Sequence, residues 1–397
     1  MIPRRKIHIV RGEFSLAFKA FFNKTKHFYH CITKWEEAFA DYIGVRHAIA
    51  VSSGRKGMSL ILKSLNLNPG DEVIIPAYTL KDLLGIIQRM GLVPVLADID
   101  PHTFNIDSKS VERRITARTK VIIATHLFGT PCQIEELVTI GRVRSIYIIE
   151  DCAHAIGSEF KGKKAGSFGH ASFFSLETIK PINTYGGGMV VTNDERLARC
   201  VRTMINGLGT KNKIPLKRLF FVFLENLLLP TPLSFPLLYL LASPRWNKKI
   251  YNVYRRTQKV STSNDYFTEF QAYIGLKKLE TLEKRISQRH KLADLLKSSL
   301  PPSIEPQLIN EGIVPNYYFF VVQSPLNTKE TRKFLLMHGI DTGIEAEIAD
   351  DCGAFLGRED CPATTKIFRR TIHLPLYEDL SPSRIRYIGA VLGELLQ

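Results

Sequence analysis

The stretch SIYIIEDCAHAIGSEFKGKKAGSFGHASFFSLETIKPINTYGGG, residues 145–188, decides how this chain folds. It opens on SIYIIED (145–151), a short β-branched run that stops at two acids and a turn. Runs of this kind, bounded by turn signals, suit strands covered on both faces. Four more lie upstream: HAIAVSS (47–53), DEVIIPA (71–77), VPVLADI (93–99) and KVIIATHLF (120–128). The stretches between them, such as Arg55–Leu67 and Leu80–Met90, have helical length and spacing. Repeated strand–helix alternation predicts an α/β domain with a largely parallel sheet. Such sheets place ligands at the carboxyl ends of their strands, which is where Asp151 falls.

Size and composition agree with a folded soluble protein of two or three domains: 397 residues, 45% hydrophobic and 23% charged. The six cysteines are scattered with no CxxC pair, so neither a zinc site nor a disulfide framework is expected. The basic start MIPRRKIHIV is followed by FSLAFKAFF, which Lys19 interrupts, so no export signal is read and a cytoplasmic location is expected. The net charge of +16 would raise nucleic acid as a partner, but most of the excess is local. Between Asn206 and Ser263 ten Lys/Arg face one acid, Glu225, a net +9, so nucleic acid is not expected.

Three groups of residues carry chemistry. A carboxylate at Asp151 can pair with a protonated pyridine nitrogen and keep such a ring an electron sink; it can equally cap the turn after its strand. Lys180, just before Pro181 and a glycine run, lies on a loop where a desolvated amine forms a Schiff base with an aldehyde cofactor, whereas most lysines are solvated surface charges. Ser175, five residues earlier, offers a hydroxyl to a phosphate. Ser52-Ser53-Gly54-Arg55 joins a strand to a helix, so Gly54 and the helix N-terminus can receive an anion and Arg55 can add a charged fork. A plain tight turn is the alternative.

Together these residues resemble the aminotransferase family that contains the DegT, DnrJ, EryC1 and StrS proteins, of pyridoxal-phosphate (PLP) fold type I. The likeness is carried by WEEAFADYIGVRHAIAVSSG, LNPGDEVIIPAYT, GLVPVLADIDPHTFNID, THLFGTPCQIEEL, IEDCAHAIGSEFKGKKAGSFG, FSLETIK, GGGMVVTND and LPLYEDLS, in that order. The resemblance implies a large α/β domain with a seven-stranded, mostly parallel sheet and a smaller C-terminal α+β domain. It divides the chain into residues 1–205, an insertion at 206–263, and 264–397. It also implies roles. Lys180 would be the Schiff-base lysine and proton shuttle, Asp151 the partner of the pyridine nitrogen, and His154 the neighbour of the ring's phenolic oxygen. Gly54, Arg55 and Ser175 would hold the phosphate, and Asn264 would reach the phosphate of the neighbouring subunit, implying an active homodimer. The expected reaction moves an amino group from an amino acid, glutamate, to a keto-sugar attached to a nucleotide. A sugar dehydratase, which in this family has histidine where Lys180 stands, and a non-enzymatic regulator are the alternatives.

The chain departs from the family pattern at several points. Arg55 stands where a threonine is usual, and Leu80 where an aromatic stacks on the ring, with Tyr78 nearby. Asn264-Asp265-Tyr266 lacks the usual arginine, and the loop after Lys180 is one residue short and lacks its common acid. Gly157–Lys163 imitates a phosphate-binding loop, but Lys164 replaces the required Ser/Thr. Gly186-Gly187-Gly188 should lead into a strand, which rules out a dinucleotide fingerprint, and His126 is read as a packed histidine.

In the insertion, LFFVFLENLLLPTPLSFPLLYLLAS (219–243) is apolar but broken by Pro230, Pro232 and Pro236, so it cannot be a spanning helix. Two readings follow. It is either a flap buried at the dimer interface or, with the basic residues between 217 and 256 and with Tyr239 and Trp246, a patch lying on a membrane's cytoplasmic surface.

Overall fold

Seven short runs become the strands of one sheet: β1 (His47–Val51), β2 (Glu72–Pro76), β3 (Val93–Ala97), β4 (Thr119–Thr125), β5 (Tyr147–Asp151), β6 (Ala171–Ser175) and β7 (Gly188–Thr192). They stand in the order β1-β7-β6-β5-β4-β2-β3. β7 pairs antiparallel with both β1 and β6, and every other pair is parallel. The sheet is therefore mostly parallel, as the sequence predicts. β6 is the strand that the alternation of β-branched runs does not announce, because ASFFS holds no Val or Ile. The computed structural model describes residues 1–22, 30–206, 216–229, 231 and 266–395. Asn264 and most of the 206–263 insertion lie outside the described residues.

Helices pack against this sheet and the smaller one that follows: α1 (Glu13–Phe22), α2 (Cys31–Ile43), α3 (Gly54–Ser64), then after the sheet α4 (Leu216–Leu228), α5 (Glu269–Leu279), α6 (Leu282–Ser299) and α7 (Pro382–Glu394). Their ends are written locally. Ser53 caps α3 by accepting from the Lys56 N–H, and Thr268 with Gln271 closes a capping box at α5. α5 packs on α2, and Gly275 lets the two approach, since a Cβ there would lie 3.0 Å from the Trp35 indole. Trp35, Phe39 and Phe174 meet edge to face in the core beneath, with ring centroids 5.2 and 5.0 Å apart.

A smaller antiparallel sheet follows, β8 (Glu305–Pro306), β9 (Phe320–Gln323), β10 (Gly343–Ile344) and β11 (Thr371–Leu374), in the order β8-β9-β11-β10. Ala293 and Leu296 of α6 and Ile385 and Ile388 of α7 share a core with it. The N-terminal residues tie the parts together. Ile2 bridges to Ile340, Arg5 pairs with Glu225 of α4 at 3.1 Å, and Asn226 bonds both the N–H and the carbonyl of Ile7.

Candidate active site

β5 delivers two acids with different tasks. Glu150 is fully buried and spends both oxygens on the fold. One accepts from the N–H groups of Phe168 and Gly169 and the Ser172 hydroxyl; the other accepts from the Gly166 N–H and His126 Nε2 at 2.8 and 2.9 Å. Burial pushes its carboxyl up, but these donors hold it below the usual range. The Cys132 N–H donates to His126 Nδ1 at 3.1 Å, so the ring carries its proton on Nε2. His126, Glu150 and Cys152 lie within 4.8 Å of one another, a grouping that no sequence spacing announces. With both Glu150 oxygens and His126 Nδ1 occupied, it is a hydrogen-bond network and leaves His126 the packed histidine expected.

Asp151, the next residue, ends β5 in register with Thr125 and is 6% exposed. Its Oδ1 accepts from the Ala153 N–H at 3.0 Å, so it does cap the following turn. That single bond does not satisfy a carboxylate. Burial pushes the Asp151 carboxyl up to about 6, against the pull of the Ala153 N–H and the positive charge of Lys180. Thr125 Oγ1, beside it in the sheet, is buried and has no hydrogen-bond partner. The strand ends thus present polar groups left open.

Lys180 faces this edge. Its amine sits 4.4 Å from the centre of the Tyr318 ring, and the residue is 9% exposed. Burial lowers the amine to about 7, Asp151 and Glu177 oppose that shift, and Arg55 adds to it. A lysine so placed is substantially neutral near physiological pH and can act as a nucleophile. His154 lies tilted against the same Tyr318, with centroids 4.5 Å apart, and its Nδ1 accepts from the Phe128 N–H at 3.3 Å. Burial, aided by the Lys180 charge, holds this imidazole well below its ordinary range, so it stays neutral with Nε2 as its N–H donor.

The structure also brings the two anion-binding candidates together. A Cβ built on Gly54 would lie 3.1 Å from the Phe174 carbonyl and 3.3 Å from Ser175 Cβ, so the N-terminus of α3 meets the end of β6. A glycine is needed there because the backbone itself must approach. Arg55 departs from the simple expectation: its guanidinium is paired with Asp82. Leu80 is 37% exposed, while Tyr78 is fully buried with its ring edge against Phe128 and Phe368. Tyr318 is the aromatic beside Lys180, and the sequence reading passed over it. It lies in NYYFF (316–320), an aromatic run in which nothing distinguishes a core ring from one facing a site.

These groups suit pyridoxal phosphate: a neutral buried amine for its aldehyde, an open carboxylate for its ring nitrogen, and a glycine-bearing helix N-terminus beside a serine for its phosphate. A sequence model of the "DegT/DnrJ/EryC1/StrS aminotransferase family" matches residues 17–219 and 245–393, and the gap coincides with the apolar part of the insertion. The GDP-perosamine synthase of Escherichia coli O157:H7 is 29% identical over 374 residues, 91% of this chain and 89% of its own. Among solved structures, the aminotransferase TlmJ of Streptoalloteichus hindustanus superposes with a TM-score of 0.78 at 21% identity, covering 100% of this chain and 99% of its own. A Streptococcus pneumoniae sugar-aminotransferase homologue in its PLP form gives a TM-score of 0.77 at 21% identity over 100% of both chains.

Proposed function

The chain belongs to the DegT/DnrJ/EryC1/StrS aminotransferase family, and from that premise we propose that it transfers an amino group from glutamate to a nucleotide-linked keto-sugar in glycoconjugate synthesis, with Lys180 holding pyridoxal phosphate. The observation that carries this reading is the buried Lys180 amine, lowered to about 7, facing an incompletely satisfied Asp151. A GDP-sugar relative matched over most of both chains supports the sugar acceptor.

When bound, the cofactor supplies an aldehyde that carries the amino group and a ring that withdraws electrons. Asp151, ionised, would hold the ring nitrogen protonated, while Glu150 beneath keeps the strand end in place. Gly54, Ser175 and the α3 N-terminus would hold the phosphate, with the Arg55 guanidinium shared between it and Asp82. His154 Nε2–H would donate to the ring's phenolic oxygen, and Tyr318 would wall the pocket over Lys180. Released from the cofactor, the Lys180 amine is placed to move a proton at the substrate carbon, which its lowered basicity permits near neutral pH. Asn264 of a second copy would complete the phosphate site, which makes the homodimer the active form.

The test is a pair of half reactions. Glutamate should bleach the visible band of the loaded protein and release one equivalent of 2-oxoglutarate, and a GDP-linked keto-sugar should restore the band. A band that glutamate and other amino-acid donors leave unchanged would contradict the reading.

A second reading concerns where the enzyme works. Leu219 and Val222 of α4 are buried in the core, yet Phe220, Phe221, Phe223, Leu227 and Leu228 on its other side are exposed. No described helix is long and apolar enough to cross a membrane. The outward side of α4, with the basic residues of 217–256 other than Arg218, which is bonded to Glu177 and Tyr185 O, suits an anionic lipid surface. Because α4 also fills the core, removing all of 219–243 would disturb more than a surface. Phe220→Ser with Phe221→Ser is the cleaner variant: it should abolish co-sedimentation with anionic vesicles at low salt and spare the visible band. Wild-type protein that stays in the supernatant would end the membrane reading.

A further inference from the structure

The loop from Lys180 to β7 is held at five carbonyls by four side chains from outside it. Arg285 Nη1 donates to Pro181 O at 2.7 Å and Lys278 Nζ to Asn183 O at 3.0 Å. Gln271 Nε2 donates to Thr184 O and Gly186 O at 3.1 and 2.9 Å, and Arg218 Nη1 to Tyr185 O at 2.9 Å. The first three residues sit on α5 and α6. Arg218 sits on α4, at the entrance to the apolar segment that the family pattern lacks.

The place where Arg218 grips is the most strained in the loop. Tyr185, Gly186 and Gly187 take φ values of 61°, 120° and 109° in succession. Tyr185 in this region costs about 1–2 kcal/mol and persists only if its surroundings hold it there. A Cβ on Gly186 would lie 2.3 Å from Arg218 Nη1, so glycine is the residue that admits the guanidinium. The same Nη1 contacts both Glu177 oxygens at 3.2 Å, and the Lys180 N–H donates to the Glu177 carbonyl at 2.9 Å. One guanidinium thus joins both ends of the turn that carries Lys180.

We infer that Arg218 is a positioning residue for Lys180, fixing the lysine turn through Tyr185 O and balancing the Glu177 carboxylate beside it, so that α4 is part of the active-site frame. The inference rests on Lys180 being the cofactor lysine. The charged groups acting on Lys180 are Asp151 from β5, Glu177 from its own turn and Arg55 from α3, with Tyr318 and the neutral His154 beside it.

Two substitutions at the pair should act in opposite directions on the pH midpoint of the visible band in pyridoxal-phosphate-loaded protein. Arg218→Ala leaves Glu177 unbalanced, which favours the protonated cofactor–lysine linkage and raises the midpoint. Glu177→Gln removes the negative charge and lowers it, and the double variant, which loses both charges, should fall between the two single variants. Cofactor should also leave Arg218→Ala about tenfold faster, the scale of one lost charged hydrogen bond, and Arg218→Lys should recover part of both effects. If Arg218→Ala does not fold, Glu177→Gln and Arg218→Lys still carry the test. Midpoints that stay at the wild-type value, or that shift in one direction in all variants, would overturn the inference. A wild-type protein with no cofactor band at all would overturn the reading of Lys180 instead.

Discussion

The two sides of the candidate site are secured in opposite ways. On the strand side, Glu150 is bonded by residues 16 to 24 positions away, all within the run from His126 to Ser172. On the lysine side, the loop's carbonyls are bonded by side chains 33 to 104 positions away, on α4, α5 and α6. On the strand side the Glu150 network is local and fully paired, with one positive-φ glycine, Gly166, among its donors. The lysine side is a strained turn kept in shape by distant side chains, three cations and the amide of Gln271. The first should resist small perturbations and fail only when its acid is lost; the second should respond to changes far from the cofactor.

The largest effect expected is on the strand side. Glu150→Ala strands the N–H groups of Gly166, Phe168 and Gly169 and the Nε2–H of His126, and should cost about 3–5 kcal/mol of folding stability, from about 1–3 kcal/mol for each buried donor left unsatisfied. Urea denaturation measures it, and a loss under 1 kcal/mol would mean the network is not what holds β5. Asp151→Asn should do the reverse, leaving stability nearly unchanged while turnover falls about a hundredfold, the equivalent of a lost charged hydrogen bond of about 3 kcal/mol. Near-normal half-reaction rates would reduce Asp151 to a cap.

What the sequence told follows the same division. The five β-branched runs, the strand-to-helix turn at Gly54, the strand-end position of Asp151 and the loop position of Lys180 were legible because local pattern specifies them. β6 was not, since ASFFS lacks the β-branched signal, and its place between β5 and β7 depends on pairing. Tyr318 and the clamps at Arg218, Gln271, Lys278 and Arg285 were illegible for a different reason. They act on the site from other helices and from the segment before β9, and a long-range contact leaves no spacing to read.

On the lysine side a smaller change should suffice. Gly186→Ala places a methyl where Arg218 Nη1 sits and forces a side chain into an unfavourable backbone region, worth about 1–2 kcal/mol. It should speed cofactor loss about tenfold, on the scale of 1.4 kcal/mol per decade. Retention equal to wild type would show that the turn does not depend on this approach.

The gentlest probe is pH. Only the neutral amine attacks an aldehyde, and burial lowers the Lys180 amine to about 7. The rate at which apoprotein captures pyridoxal phosphate should therefore be flat above that value and fall as the amine protonates below it. A rate that keeps climbing toward the ordinary lysine range of about 10.4 would mean the amine is solvated.

The most direct test of the account is borohydride reduction of the loaded protein followed by peptide mapping. The account predicts one cofactor-bearing peptide, containing FSLETIK with the adduct on Lys180, and none in Lys180→Ala. An adduct on another lysine, or one that survives in Lys180→Ala, would contradict it.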